Sequence, residues 1–181
     1  ESEYAEYSAV KHVIGVANGT DALEIGVRAL GIGHGDEVIV PTNSFIASAL
    51  AVARAGATPV LVDCDPVHYL IDLSKIEAAI TPRTRAIMPV HLYGQLAPME
   101  ELCAIATRNK LFVIEDAAQS QGASRNGRAS GAFGHVTGTS FYPGKNLGAF
   151  GDAGAVLTDD DDIAKKVRAL RNYGSEVKYH H

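Results

Sequence analysis

The chain contains, at residues 38 to 62, the sequence Val38-Ile-Val-Pro-Thr-Asn-Ser-Phe-Ile-Ala-Ser-Ala-Leu-Ala-Val-Ala-Arg-Ala-Gly-Ala-Thr-Pro-Val-Leu-Val62. It begins and ends with the β-branched runs Val38–Val40 and Pro59–Val62, which are typical of buried strands. Between them, Phe45–Ala55 carries apolar residues at helical spacing, and Gly56 follows where a helix commonly ends. A strand, a helix and a second strand in this order indicate a crossover between parallel strands.

The same alternation extends outward from this unit over most of the chain. Five further runs have the composition of strands, namely Val13–Val16, Ala86–Val90, Phe112–Glu115, Val136–Phe141 and Ala155–Thr158. Four further segments have helical spacing, namely Thr20–Leu30, Ile76–Ile80, Met99–Asn109 and Asp161–Leu170. We therefore predict an α/β fold, a three-layer sandwich with a mostly parallel sheet of about seven strands.

Composition excludes several classes of function. The 181 residues are 46% hydrophobic and 20% charged, with a formal net charge of −5 and no dense Lys/Arg cluster, so no nucleic-acid partner is expected. No apolar run is long enough to span a bilayer, so no membrane partner is expected either. Cys64 and Cys103 lie far apart, which indicates neither a zinc site nor a disulfide framework and favours a reducing cytoplasm.

Three segments resemble known functional motifs, but each lacks a feature that the motif requires or has a simpler structural explanation. Gly138–Lys145 resembles a phosphate-binding loop, but its glycine spacing is too long, and Asn146 stands where a magnesium-binding hydroxyl belongs. Gly31–Gly35 follows a helix rather than a strand, which is the reverse of a dinucleotide site. The acids at 159–162 are typical of a helix start, so no metal site is predicted.

Three other segments carry candidate functional residues at the ends of predicted strands. Asn18–Leu23 opens a helix, so it is either a structural N-cap or a phosphate site. Glu115 and Asp116 are consecutive acids at the end of a strand, so their side chains point to opposite sides and one of them faces the crevice at that edge. Asp116 could alternatively cap a turn.

Lys145 follows the last of these strands, within Thr139–Gly148. A loop lysine is usually solvated. Here Pro143 and Gly144 indicate a tight turn that could direct the amine inward, where it could act as a nucleophile that forms a Schiff base.

Together, these segments resemble one family. The residues that carry the resemblance are Gly19-Thr20-Asp21-Ala22-Leu23, Pro41-Thr-Asn-Ser-Phe45, Glu115-Asp116-Ala-Ala-Gln119 and Ser140-Phe-Tyr-Pro-Gly-Lys145-Asn146-Leu147-Gly148. They are similar to the DegT/DnrJ/StrS-type sugar aminotransferases, which have the type I fold of pyridoxal-phosphate-dependent transferases. Within that family, Val90–Gln95 and Leu170–His181 look closest to members that make 3-amino-3,6-dideoxyhexoses on a nucleoside diphosphate.

The resemblance implies a cofactor, pyridoxal 5'-phosphate, and a role for each matching residue. Lys145 would hold the cofactor as the Schiff-base lysine and move the proton, and Asp116 would pair with the pyridine nitrogen. Gln119 would bind the phenolic oxygen, and Phe45 would stack on the ring. The phosphate would be held by Gly19, Thr20, Asp21 and Ser140.

The implied reaction is transfer of an amino group from an amino acid, with glutamate expected, to a nucleotide-linked keto sugar. The family also implies a homodimer with shared active sites. We expect residues 1–181 to be the cofactor-binding large domain of a longer chain, without its small domain, and expect this part alone to lack a complete active site. Two alternatives stay open: a pyridoxal-phosphate-dependent sugar dehydratase, in which a histidine replaces the lysine at 145, and a non-catalytic or regulatory protein with the same fold.

Overall fold

The computed structural model describes residues 1–176, so the last five residues of the segment Leu170–His181 lie outside the described part. Its α-helices are α1 (Ser2–Ser8), α2 (Gly19–Ala29), α3 (Ala47–Arg54), α4 (Leu73–Ala79), α5 (Met99–Arg108) and α6 (Asp161–Arg171). Its strands are β1 (His12–Val16), β2 (Glu37–Pro41), β3 (Thr58–Val62), β4 (Thr84–Ile87), β5 (Phe112–Asp116), β6 (Ser124–Arg125), β7 (Arg128–Ala129), β8 (Val136–Ser140) and β9 (Gly154–Thr158). In the described part, no helix is long and apolar enough to cross a membrane.

Seven of the strands form one sheet in the order β1-β9-β8-β5-β4-β2-β3, and β6 and β7 form a separate hairpin. Strand β9 runs antiparallel to both of its neighbours, and the other four pairs are parallel. The prediction of a mostly parallel sheet of seven strands is confirmed. The strand predicted at Ala86–Val90 is shorter, because Pro89 has no N–H to donate to a neighbour; beyond it, Val90 makes only an isolated bridge.

Hydrophobic side chains on successive residues of the strands pack on opposite faces of the sheet, which gives the predicted three layers. Val38 and Val40 of β2 belong to a core that includes side chains of α2, α3 and α6. Ile39, between them, belongs to a second core with side chains of α4 and α5. Helix α1 covers the far end of that second face, where it packs near Val13. The sheet is therefore buried between two layers of helices.

The carboxyl ends of β2, β5 and β8 lie at one edge of the sheet, because these strands are parallel. Asp116 and Ser140 are the last residues of β5 and β8. Since β9 runs the other way, its first residue, Gly154, lies at the same edge and pairs with Ser140. The start of α2 lies there too, so the ends of five elements meet in one place.

Two glycines allow the start of α2 to lie directly against the sheet. A Cβ on Gly154 would stand 2.5 Å from the carbonyl oxygen of Asn18 and 2.8 Å from the backbone nitrogen of Gly19. A Cβ on Gly19 would stand 2.7 Å from the Cβ of Ser140. Both distances are shorter than atomic contacts allow, so only glycine permits this approach.

Replacement of Gly154 by Ala should therefore separate α2 from β9 and lower the free energy of unfolding by about 1–3 kcal/mol, the usual cost of overpacking. Urea denaturation of the full protein measures this change. Gly151→Ala is the matched control, because a Cβ at Gly151 meets no atom within 4 Å. Equal stability of the two variants would show that the close approach is not required.

Candidate active site

A cavity of about 720 Å³ opens at this edge of the sheet. Seven of the eight residues predicted for the site line it, namely Gly19, Thr20, Phe45, Asp116, Gln119, Ser140 and Lys145. Asp21 is not among the lining residues. Its N–H donates to Oδ1 of Asn18 at 2.8 Å, and its carboxylate accepts hydrogen bonds from Asn18 and Arg54. Asp21 thus stabilises the start of α2. Of the predicted phosphate-binding residues, Gly19, Thr20 and Ser140 line the cavity and Asp21 does not.

Asp116 is a buried carboxylate at the end of β5. The hydroxyl of Ser48 donates to its Oδ2 at 2.7 Å, and the N–H of Ala118 donates to its Oδ1 at 3.1 Å. Burial raises the pKa of Asp116, and the two hydrogen bonds oppose only part of that rise. Within residues 1–176, no Lys, Arg or His forms an ion pair with Asp116. A buried carboxylate that has no positively charged partner favours binding of a cation beside it.

Lys145 lies in a loop that closes on itself. Its backbone N–H donates to the carbonyl of Tyr142 at 2.8 Å, which completes the predicted tight turn. Asn146 fixes the loop from the other side, since its side-chain Nδ2 donates to the carbonyl of Gln121 at 2.8 Å. The half-buried Lys145 thus lines the cavity, and its charge is near enough to lower the pKa of Asp116 slightly.

The side-chain amide of Gln119 is hydrogen-bonded to the protein through its oxygen atom. Its Oε1 accepts a hydrogen bond of 2.9 Å from the N–H of Tyr93, a residue in the left-handed region with a φ of 58°. This contact fixes the orientation of the amide. The Nε2 group of Gln119 is therefore the donor that remains for a ligand in the cavity.

The start of α2 forms an end of the cavity with the character of an anion site. The first N–H groups of a helix have no partner within the helix, and the helix dipole favours negative charge there. Gly19 and Thr20 carry such N–H groups, and the buried Ser140 lies next to them with its hydroxyl. This combination of donors fits a phosphate.

Phe45 forms another wall of the cavity, but not from within a helix as predicted. Helix α3 begins at Ala47, so Phe45 lies in the preceding loop, and the residue is 71% exposed. An aromatic residue exposed to this extent at a cavity wall offers a flat apolar face to a planar ligand.

Sequence reasoning missed five polar or charged residues that lie at or beside the cavity: Ser44, Ser48, Arg54, Tyr142 and Asp152. Of these, Ser48 touches a predicted site residue directly, through its hydrogen bond to Asp116. The spacing of Ser44 and Ser48 places both hydroxyls close together near the start of a helix, and this was the signal available in the sequence.

Glu115 faces away from the cavity, as the alternation of a strand requires. Its buried carboxylate accepts hydrogen bonds from Nε2 of His91 at 2.8 Å and from the N–H groups of Gly131, Phe133 and Gly134 at 3.0, 2.8 and 2.6 Å. Burial alone would raise the pKa of Glu115, but these donors outweigh it, and the pKa lies below its ordinary value. Glu115 thus joins β5 to two neighbouring loops.

His91 can serve Glu115 only as a donor. Its Nδ1 accepts a hydrogen bond of 3.2 Å from the N–H of Ala97, so the single proton of the neutral ring lies on Nε2. The backbone N–H of His91 also donates to the carbonyl of Asp116 at 3.0 Å.

In the described part of the chain, no group of three or more His, Cys, Asp or Glu side chains could hold a metal ion.

The family model for the DegT/DnrJ/EryC1/StrS aminotransferase family matches residues 1–181, and the chain belongs to this family. Aminotransferases of this family depend on pyridoxal 5'-phosphate. The prediction of family and fold from the sequence is confirmed.

Curated relatives match the chain over nearly its whole length. The dTDP-3-amino-3,4,6-trideoxy-alpha-D-glucose transaminase of Streptomyces venezuelae is 54% identical over 100% of this chain and 48% of its own length. The dTDP-3-amino-3,6-dideoxy-alpha-D-galactopyranose transaminase of Aneurinibacillus thermoaerophilus is 55% identical, with coverage of 99% and 49%. A pleiotropic regulatory protein of Geobacillus stearothermophilus is 53% identical, with coverage of 100% and 49%. The chain thus spans about half the length of these relatives.

Solved structures show the same likeness. The crystal structure of S. venezuelae DesV in complex with a ketimine intermediate has a TM-score of 0.97 and 54% identity, and the match covers 100% of this chain and 49% of that one. NtdA from Bacillus subtilis, solved with bound cofactor PMP, has a TM-score of 0.87 and 44% identity, with coverage of 93% and 39%.

Glu115→Gln should destabilise the protein by roughly 3 kcal/mol at neutral pH, because the amide NH2 would face donors on either side of the carboxylate site. The lowered pKa means that the ionised carboxylate stabilises the fold fully above the unfolded pKa. That stabilisation is lost as the pH falls through the folded pKa, which lies below the ordinary pKa of a glutamate. The difference from the native protein should thus shrink in acid.

Urea denaturation at a series of pH values measures this difference, with Glu6→Gln as a control at an exposed glutamate. A loss of stability that is no larger for Glu115→Gln than for Glu6→Gln, or that does not change with pH, would contradict the assignment of an ionised Glu115.

Proposed function

We propose that this protein is a pyridoxal-phosphate-dependent aminotransferase that moves an amino group from an amino acid, glutamate being the expected donor, to a keto sugar linked to a nucleotide. The observation that carries the proposal is that Lys145 and the buried Asp116 line the same cavity, with a phosphate-binding helix start in its wall. A lysine amine, a buried carboxylate and an anion site are what a charged pyridine ring with an aldehyde and a phosphate requires.

The described residues fit this cofactor, because the predicted site residues that line the cavity have matching groups on it. Asp116 has a buried carboxylate without a cation partner in the described part of the chain, and a protonated pyridine nitrogen supplies one. Gln119 offers its Nε2 donor to the phenolic oxygen. The helix start at Gly19 and Thr20, with the hydroxyl of Ser140, binds the phosphate, and Phe45 packs on the ring.

When bound, the cofactor supplies an aldehyde that takes up the amino group and a ring that accepts the electrons of the C–H bond that breaks. Lys145 holds the cofactor through Nζ and, once released, carries the proton between substrate and cofactor at that same atom. Asp116 keeps the ring nitrogen protonated, so that the ring stays electron-poor. The tight turn at Tyr142–Lys145 keeps Nζ at the cavity while it does both tasks.

The residues of the cavity also distinguish this proposal from the two alternatives. A sugar dehydratase of this family has a histidine in place of the anchoring lysine, and this chain has Lys145. One relative carries the name of a regulatory protein, which keeps a regulatory role as the second candidate. The complete set of Lys145, Asp116 and Gln119 around one cavity favours catalysis.

The proposal extends to assembly and location. We propose that residues 1–181 are the cofactor-binding domain of an active site shared between two subunits. The 67% exposure of Ile46, next to the cavity-lining Phe45, supports this. A cytoplasmic location is supported by Cys64 and Cys103, which are both free thiols.

Lys145→Ala should abolish covalent attachment of the cofactor. After incubation of the full protein with pyridoxal 5'-phosphate and reduction with borohydride, peptide mass spectrometry should find the label on Lys145 of the native protein and none on the variant. Lys166→Ala, which removes an exposed lysine of α6, serves as the control and should keep the label. Equal labelling of the native protein and the Lys145→Ala variant would contradict the proposal.

Asp116→Asn should lower the rate of amino transfer by on the order of 100-fold or more, because an amide cannot keep the ring nitrogen protonated. The assay supplies glutamate and a panel of keto sugars linked to dTDP, UDP or GDP, and it follows both the conversion of the cofactor by glutamate and the formation of amino sugar. Undiminished turnover by this variant would remove Asp116 from the mechanism. Failure of the native protein to convert any sugar while it still binds the cofactor would favour the regulatory role.

A further inference from the structure

Ser48 is a fully buried serine in the first turn of α3, and its hydroxyl lies among three oxygen atoms. These are Oδ2 of Asp116 at 2.7 Å, Oγ of Ser44 at 2.6 Å and the carbonyl oxygen of Phe45 at 3.4 Å. The contact with Phe45 is too long to be a strong hydrogen bond, so two short ones remain.

The single proton of Ser48 determines the direction of both short hydrogen bonds. An ionised carboxylate can only accept, so the hydroxyl of Ser48 donates to Oδ2 of Asp116. The hydroxyl of Ser44 then donates to Ser48. The result is a chain of two hydrogen bonds that ends on Asp116 and stabilises its charged form.

Both oxygens of Asp116 are thus held by the protein. Ser48 holds Oδ2, and the N–H of Ala118 holds Oδ1 at 3.1 Å. With one donor on each oxygen, the carboxylate cannot rotate freely, and its remaining lone pairs face a fixed direction. Ser48 also follows Phe45 by three residues, so one short segment contacts the carboxylate and supplies an aromatic wall of the same cavity.

We propose that Ser48 is a positioning residue that keeps Asp116 ionised and fixes its orientation toward the ring nitrogen of the cofactor, with Ser44 supporting it. This inference rests on the proposed function, since it concerns the residue that would meet that nitrogen. Ser48 acts through Asp116 and does not itself touch the ring.

The test separates an effect on the ring nitrogen from a general loss of structure. The affinity of the full protein is measured for pyridoxamine 5'-phosphate and for its 1-deaza analogue, in which a carbon replaces the ring nitrogen. Loss of a hydrogen bond to a charged group corresponds to an affinity change of about 10- to 100-fold. Ser48→Ala should weaken binding of pyridoxamine 5'-phosphate by that factor and leave binding of the deaza analogue unchanged.

Ser130→Ala is the matched control, because Ser130 is also buried and also shares a hydrogen bond of 2.6 Å with another serine, Ser120, away from Asp116. It should leave both affinities unchanged. Equal losses for both ligands in Ser48→Ala, or no loss for either, would overturn the positioning role of Ser48. Native protein that does not prefer pyridoxamine 5'-phosphate over the deaza analogue would instead overturn the pairing of Asp116 with the ring nitrogen, and the proposed function would fail with it.

Discussion

The carboxylate of Asp116 is buried at the end of a central parallel strand, and the rest of the site is arranged around it. Desolvation disfavours its negative charge, while Ser48 and Ala118 each donate one hydrogen bond that favours it. The two effects leave a carboxylate that is held in place but short of positive charge. In the proposed function, a protonated pyridine ring in the adjoining cavity would provide that charge and would itself be kept protonated by Asp116.

Glu115 and Asp116 are neighbouring acids on β5 that differ in the number of hydrogen-bond donors around their carboxylates. Glu115 has its two oxygens surrounded by a histidine N–H and three backbone N–H groups, so no acceptor capacity remains for a ligand. Asp116, one residue later and on the other side of the sheet, receives only two donors and borders a cavity. Glu115 therefore stabilises the loops around it, and Asp116 keeps the capacity to accept a hydrogen bond from a ligand. The difference arises from the alternation of the strand and from the loops each face meets.

Strand periodicity and strand ends are local signals, and they were sufficient to predict most elements and to single out Gly19, Thr20, Asp116 and Lys145. Phe45, Gln119 and Ser140 were predicted from the resemblance to the family. It could not supply the direction of β9, since the apolar pattern of a buried strand is the same in either direction. Ser48 lies in an alanine-rich helix, and only the folded chain brings it to Asp116, 68 positions away. The contact of Gln119 with the N–H of Tyr93 likewise depends on tertiary placement. Asp21 differs, because its hydrogen bonds with Asn18 join residues only three positions apart. Hydrogen bonds between residues far apart in the chain were thus the part that could not be predicted.

The proposed mechanism requires that the carboxylate of Asp116 meets a protonated ring nitrogen. The most direct measurement is nitrogen NMR of the full protein loaded with pyridoxal 5'-phosphate that carries ¹⁵N in the ring. We expect the chemical shift of a protonated pyridinium, and this shift should persist at pH values where the free cofactor has lost its ring proton. A shift typical of unprotonated pyridine at neutral pH would contradict it.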